Sequence, residues 1–336
     1  MSLRTNNSPV PPRNHRAGRT SFLLGTLALA VVVLLNFQVI TDWLALRNYQ
    51  PPAAITALAS QTSMTPQARR VFYVNHPELN SKAAFGNLCP GAQREKTIIL
   101  GCYHGKQHGI FLLDVADPRL SGVEDVTAAH EMLHAEYDRL SSNERHRVDA
   151  MLQAYFDNDL HDQRIIDTVA AYRTSEPKDV INEMHSVFGS EVANLPTGLA
   201  QYYQRYFNDR AVVVAHAAAY QAEFTSRQTA IAQDDKQLAA IKIQFTNGQD
   251  DLKAMQATIT STQNTLVDER NRGETELYNA GVPGYNIMIN NYNRQIEVVR
   301  ALVVSYNALV TSRNSILIEE TALTNELNSS VIPNNK

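Results

Sequence analysis

Five consecutive residues have the types and the spacing that metal-assisted activation of water requires. They read His130-Glu131-Met132-Leu133-His134. On a helix, His130 and His134 lie four residues apart and project from the same face, so both imidazoles can bind one metal ion. Glu131 then lies beside the open side of that ion, where its carboxylate can accept a proton from water. Two imidazoles and a carboxylate predict Zn²⁺ as the ion.

The surrounding sequence favours a helix over Val123–Leu140. Ser121 and Glu124 have the spacing of a capping box just before this segment. Apolar residues then recur at roughly helical spacing, and neither proline nor glycine interrupts them. The sequence therefore predicts that both histidines lie on one helix.

A second short segment resembles the other half of a known zinc signature. Asn182-Glu183-Met184-His185-Ser186 reads N-E-x-x-S. Together with H-E-x-x-H it resembles the gluzincins, the thermolysin-like zinc metallopeptidases. The resemblance implies that His130, His134 and Glu183 are the zinc ligands and that Glu131 is the general base. It covers these two segments and not the whole chain.

Two positions depart from the gluzincin pattern, and the third ligand stays open. Val187 occupies a position where the family often has aspartate, and Glu136 occupies a usually apolar position. The separation between the two motifs is also longer than in thermolysin. We therefore expect gluzincin-like ligands on a divergent scaffold. The alternatives to Glu183 as the third ligand are His185, Glu176 and Glu191.

Stabilisation of an oxyanion has several candidates. His185 is the one that we assign as a second catalytic residue, beside Glu131. The tyrosines that could take this role instead, each of which could equally be a packing residue, are Tyr172, Tyr202, Tyr203 and Tyr206. Metzincins are excluded, because their motif needs Gly and His where this chain has Tyr137 and Leu140.

The predicted fold class is α+β, with a small zincin-like metal domain over residues 69–210. Its strands are predicted at Arg70–Val74, Thr97–Leu100 and Ile110–Val115. Ile110–Val115 is either an edge strand that aligns a substrate backbone or an ordinary core strand. Helices are expected from Ser142 to about residue 156, over 162–172 and from about residue 175. Cys89 and Cys102 are either a disulfide pair, if the chain is exported, or two buried thiols.

The N-terminus predicts a membrane anchor. Residues 1–19 are polar and basic, which is typical of a disordered cytoplasmic tail. Residues 20–42 are apolar enough to predict a single transmembrane signal anchor. The preceding basic residues predict that the N-terminus is cytoplasmic and that the bulk of the chain is extracytoplasmic. Residues 43–68 are interpreted as a stalk.

The last third predicts an antiparallel coiled-coil hairpin over residues 211–330. One seam repeats every seventh residue from Ile231 to Leu266, and Gly248 and Thr262 weaken its companion positions. After a predicted break over Gly273–Gly284, a second seam is predicted at Ile289, Ile296, Val303, Val310 and Leu317, with Tyr292, Val299 and Tyr306 as companions. The hairpin is expected to be about 60 Å long. It could dock a partner, self-associate or only stabilise the chain.

These observations predict a membrane-anchored, extracytoplasmic zinc metallopeptidase that hydrolyses a peptide bond or a peptidoglycan amide. The alternative is a non-catalytic cell-envelope scaffold that acts through the coiled coil and keeps a structural or vestigial metal site. The net charge of −4 and the pI of about 6.2 give no sign of nucleic-acid binding.

Overall fold

The computed structural model describes residues 31–33, 37–90, 98–105 and 108–329. The helices are α1 (Phe37–Leu46), α2 (Ala53–Gln61), α3 (Pro66–Val74), α4 (Lys82–Leu88), α5 (Val123–Asp138), α6 (Ser142–Asn158), α7 (Gln163–Ser175), α8 (Val180–Ser190), α9 (Thr197–Tyr203), α10 (Arg210–Asn271) and α11 (Thr275–Leu327). The strands are β1 (Glu78–Asn80), β2 (Gly101–His104) and β3 (Gly109–Leu113). Most elements before α10 pack around one hydrophobic core, and α10 and α11 form a long arm.

The predicted α+β fold class is wrong, because the structure is 77% helical and its sheet is small. Arg70–Val74, predicted as a strand, is the second half of α3. The hydroxyl of Thr65 accepts a hydrogen bond from the N–H of Ala68, and Pro66 begins the first turn. A capped N-terminus with proline in its first turn favours a helix, and here it outweighs the strand preference of the residues that follow.

The sheet has the order β1-β3-β2, so β3 is central. It pairs in parallel with β1 and antiparallel with β2. The strand predicted over Ile110–Val115 is therefore not an edge strand. The strand predicted at Thr97–Leu100 is misplaced, because β2 begins at Gly101. Thr97 lies outside the described residues. It is β2 that forms the edge beside α5. A disulfide between Cys89 and Cys102 joins β2 to the end of α4.

The predicted membrane span is not supported. In the described part of the chain, no helix is both long enough and apolar enough to cross a membrane. The predicted tail and residues 20–30 and 34–36 of the predicted span lie outside the described residues. The end of the span belongs to α1, whose Asp42 is 1% exposed. The prediction of a single-pass membrane protein is therefore not supported by the described residues, and α1 packs onto the protein with its Asp42 buried against Arg139.

The residues interpreted as a stalk form helices that belong to the core. In α2, Ile55, Leu58 and Ala59 are all buried. In α3, Ala68, the last residue of the predicted stalk, is 0% exposed and packs in the same core. The small and polar residues of this stretch look like a linker in sequence. Ser60, Gln61 and Gln67 are exposed, but Thr62 is buried.

The arm fits a coiled coil, as predicted. Helices α10 and α11 contain 62 and 53 residues and run antiparallel, joined by a turn at Arg272–Glu274. At 1.5 Å per residue, α10 is about 90 Å long, which exceeds the predicted length. The heptad positions from Ile231 to Leu266 face α11. Gly248 does not weaken the seam, because a Cβ there would lie 2.8 Å from Cγ2 of Val299, so glycine permits the close approach.

Two positions of the predicted second seam are displaced by one residue. Val303 and Leu317 are 40% and 44% exposed, and the partly buried residues are instead Leu302 and Ile316. Ile289, Ile296 and Val310 are partly buried, as the prediction requires. Apolar residues stand next to each other at these heptad positions, so the sequence period could not decide which of the two faces the partner helix.

The ion pairs of Asp42 give a prediction about stability. Its carboxylate accepts hydrogen bonds of 2.8 and 3.0 Å from Arg139, and Arg70 Nε lies 3.3 Å away. Because removal of one partner leaves buried charge uncompensated, we expect Asp42→Asn to lower the free energy of unfolding by about 3 kcal/mol. Urea unfolding followed by near-UV circular dichroism of the buried tyrosines measures the change.

The matched control is Asp250→Asn, at an exposed position on the arm. It removes the same charge and should change the free energy of unfolding by less than about 0.5 kcal/mol. An Asp42→Asn variant as stable as this control would show that α1 is not held by its buried ion pairs.

Candidate metal centre

The helix α5 carries the H-E-x-x-H motif through the middle of the core, with all but three of its residues buried. Its start differs from the predicted capping box. Gly122 is the N-cap and has φ of +93°, and no side chain caps the helix. The carboxylate of Glu124 accepts a hydrogen bond of 2.8 Å from the N–H of Val115 instead of turning back to Ser121. Tertiary contacts, rather than a local cap, thus fix where α5 begins.

The helix α8 packs directly against α5 and brings Glu183 to the two histidines. Met184, Val187 and Phe188 on α8 are 0–1% exposed and belong to the same core cluster as Met132 and Leu133 of α5. Glu183 lies in the first turn of α8. The structure therefore brings the three predicted ligands together through ordinary apolar packing of two helices.

The three donor groups have the separations that a tetrahedral zinc site needs. The Nε2 atoms of His130 and His134 are 3.0 Å apart. Nε2 of His130 is 3.5 Å from Oε2 of Glu183, and Nε2 of His134 is 3.4 Å from Oε1. A tetrahedron with metal–ligand bonds of about 2.0–2.1 Å has edges of about 3.3 Å. The cluster fits a divalent ion with three protein ligands and leaves a fourth position open.

The carboxyl group of Glu183 is tuned by its neighbours. Burial alone would raise its pKa, but the imidazoles of His134 and His130 and a hydrogen bond from the hydroxyl of Tyr172 lower it. Burial, and then the charge of Glu183, raise the pKa of Tyr172 itself well above its usual value. Tyr172 therefore remains a hydrogen-bond donor to the ligand carboxylate.

Glu131 is held by β2. The backbone N–H of Tyr103 donates a hydrogen bond to its carboxylate, and the side chain is 5% exposed. Burial raises the pKa of Glu131 to about 7. Gly101 lies against the same carboxyl group: a Cβ at this position would be 2.6 Å from Oε1 of Glu131. A glycine in the edge strand is thus what gives Glu131 its space.

A cavity of about 450 Å³ opens onto the site. Among the described residues, β2, the ends of α5 and α7 and the start of α8 line it. Glu131, His134 and Glu183 lie on its wall, as does Tyr172. The cavity is large enough to hold a few residues of an extended chain next to the triad.

His185, predicted as a catalytic residue, does not line the cavity. It is 0% exposed, and its Nε2 lies 2.9 Å from the hydroxyl of Tyr202. Burial, and then the nearby His134 and His130, lower its pKa to about 3, so it is neutral near pH 7. Tyr203 donates a hydrogen bond to the backbone carbonyl of His185, and Tyr206 bonds to Tyr202. These four residues form a packed layer behind the ligands and cannot touch a substrate in the cavity.

The alternative third ligands do not join the cluster of His130, His134 and Glu183. Glu191 accepts hydrogen bonds from Arg164 and Gln221, away from the triad. Glu176 lines the cavity but does not belong to the ligand cluster.

The two positions that depart from the gluzincin pattern lie outside the cluster. Burial of the Glu136 side chain raises the pKa of its carboxyl group to about 7. Its partner at 3.5 Å is Gln67. Val187 is simply part of the core.

No sequence motif predicted a role for Gly101 or Tyr103, because their role depends on a strand that packs beside α5.

Removing a ligand gives a direct prediction about metal affinity. We expect His134→Ala to weaken Zn²⁺ binding more than about 100-fold, because two donors remain where tetrahedral coordination needs three from the protein. Equilibrium dialysis with Zn²⁺ and metal analysis measure the loss. The control is His146→Ala, an exposed histidine whose ring contacts the carbonyl of Ser142. Equal affinities of the two variants would contradict the assignment of the site.

No family model, no curated protein and no solved structure matches this chain. The resemblance to gluzincins therefore remains a prediction from two motifs.

Proposed function

We propose that this protein is a zinc-dependent hydrolase of amide bonds, with peptides as its substrates. The observation that carries the proposal is the position of Glu131. It lies on the wall of the same cavity as His134 and Glu183, held by the N–H of Tyr103. A purely structural zinc site has no use for a buried carboxylate on its open side, so this position favours a hydrolase over a scaffold.

A bound zinc ion would supply a Lewis acid that polarises the scissile carbonyl and lowers the pKa of water toward neutrality. The residues of the chain account for the other steps. The carboxylate of Glu131 takes the proton of the attacking water and passes it to the leaving nitrogen. Tyr172 keeps the carboxylate of Glu183 oriented through its hydrogen bond. These roles need no contribution from His185.

The edge strand β2 supports an extended peptide as the substrate. One of its sides pairs with β3, and its residues line the cavity beside Glu131. A peptide bound along β2 would lay its backbone beside His134 and Glu183, while the N–H of Tyr103 stays bonded to Glu131. A peptidoglycan stem peptide would satisfy the same contacts.

Glu131→Gln tests the proposal. We expect the variant to bind Zn²⁺ with the affinity of the wild type but to hydrolyse substrate about 10²–10⁴-fold more slowly, because the general base is lost. Mass spectrometry of a mixture of peptides and of muropeptides, incubated with each zinc-loaded protein, measures the rate. Wild-type protein that binds zinc and cleaves none of them would support the scaffold instead.

Gly101→Ala tests how Glu131 is positioned. The added methyl group would overlap the carboxyl group of Glu131 and Cγ2 of Thr127. We expect hydrolysis to fall at least about tenfold while zinc stays bound, because the three ligands lie on other elements. Gly198→Ala is the matched control, since the nearest atom to its new methyl group, Sδ of Met151, is 3.4 Å away. Equal rates for the two variants would argue against this arrangement.

A further inference from the structure

The two faces of β2 contact different parts of the domain. Successive side chains of a strand point to opposite faces. On one face, a Cβ at Gly101 would lie 2.6 Å from Oε1 of Glu131, and Tyr103 packs against the main core. On the other face, Cys102 packs in a separate, small apolar cluster beside α4. The cysteine of the strand thus lies between the two residues that position Glu131.

The apolar cluster behind β2 is too small to hold the strand firmly. Among the described residues, its buried members are Phe85, Cys89 and Leu113. The two elements that meet there are short, since α4 has seven residues and β2 has four. The disulfide joins Cys89, at the C-terminal end of α4, to Cys102 in β2. A covalent cross-link stabilises most where little apolar surface is buried.

Hydrogen bonds to another strand support β2 on one side. Among the described strands, it pairs with β3 alone. The N–H of Tyr103 donates its hydrogen bond to the carboxylate of Glu131. Elements with few buried contacts open more readily than the centre of a core. Without its cross-link to α4, β2 would therefore loosen and would carry the N–H of Tyr103 away from Glu131.

The disulfide lies where a thiol can attack it. Both cysteines line the cavity beside the metal centre. Cys89 is 2% exposed whereas Cys102 is partly exposed, so Sγ of Cys102 is the sulfur open to attack. Nε2 of His104 lies 3.6 Å from this sulfur. An imidazole N–H in this position stabilises a thiolate on Cys102.

We propose that reduction of the Cys89–Cys102 disulfide by a dithiol is a switch at this site. Reduction frees β2 from α4, and the N–H of Tyr103 then no longer holds Glu131. The three candidate zinc ligands lie on α5 and α8 and stay in place. The proposal rests on the proposed function for its consequence, which is the loss of hydrolysis while zinc stays bound.

The two thiols of the reductant balance the exchange. One attacks Sγ of Cys102 as a thiolate and forms a mixed disulfide, and Cys89 leaves as a thiolate. The second thiol attacks the reductant's own sulfur in this mixed disulfide, and Cys102 leaves beside His104. The dithiol loses two electrons and two protons and becomes a disulfide, and the cysteines become thiols. A disulfide oxidant reverses the reaction.

Hydrogen exchange of the zinc-free full chain tests the switch without hydrolysis. The protein is reduced with dithiothreitol, desalted without oxygen and compared with the oxidised form by mass spectrometry of peptic peptides. We expect the amides of β2 to exchange at least about tenfold faster after reduction, and those of α5 and α8 to change less than about twofold. Equal exchange of β2 in both forms, or loss of protection throughout α5 and α8, would overturn the proposal.

Zinc affinity and hydrolysis measure the consequence. The variant Cys89→Ser, Cys102→Ser stands in for the reduced form, because it has no thiols that could bind zinc themselves. It should bind Zn²⁺ within about twofold of the wild type and hydrolyse substrate at least about tenfold more slowly. Dithiothreitol should slow the wild type, and oxidised glutathione should restore it. The same treatments should leave the variant unchanged, which makes it the matched control.

The switch and the hydrolase fail in different ways. If oxidised wild-type protein binds zinc and hydrolyses nothing, the hydrolase is contradicted, and the exchange of β2 decides alone whether the disulfide holds the strand. Equal rates of hydrolysis before and after reduction contradict only the switch. Loss of zinc together with activity also overturns the switch, because the disulfide would then support the whole metal centre and not the position of Glu131.

Discussion

The packing of α8 against α5 is the contact on which the candidate site depends. Neither helix has three ligands of its own. Apolar residues on α8 bury against the middle of α5, and this fixes Glu183 within 3.5 Å of both imidazoles. The energy that holds the ligands together is therefore hydrophobic, since three polar donors near one another gain little without an ion. A preformed cluster of this kind needs little rearrangement on binding metal.

Both ends of α5 are held by elements for which the sequence predicted other roles. At its C-terminal end, Arg139 pairs with Asp42 of α1. In its first turn, Asp125 lies 2.9 Å from Nδ1 of His216, near the start of the arm. The predicted membrane anchor and the coiled coil thus each contribute a residue that fixes the metal helix. This makes the start of the arm part of the domain.

The proposed general base is positioned by different contacts from the candidate ligands. Glu131 depends on the edge strand β2, through the N–H of Tyr103 and the small size of Gly101. The disulfide between Cys89 and Cys102 anchors the same strand to α4. The ligands and the base are consequently supported by separate parts of the fold, and a substitution can disturb one without the other.

Features that are local and periodic could be predicted from the residues alone. The helix of H-E-x-x-H, the capping box that starts α6 and the heptads of α10 all depend on neighbours within a few residues. The second motif also pointed to Glu183, because its residue types match a known signature. The strand predicted at Arg70–Val74 is wrong, because the N-cap at Thr65 favours a helix more than the following residues favour a strand. In α11 adjacent apolar residues left the seam uncertain by one position.

Which polar residues face the cavity depends on how the helices and strands pack together. His185 and Glu183 are two residues apart on α8, yet one is buried behind the ligands and the other is a candidate ligand, because a helix turns about 200° between them. Gly101, Asp138 and Asp179 carry no motif, and they reach the site because separate elements pack there. The apolar start of the chain gave no sign that Asp42 would be buried against Arg139. Contacts between distant segments depend on the whole packing arrangement, which no local pattern encodes.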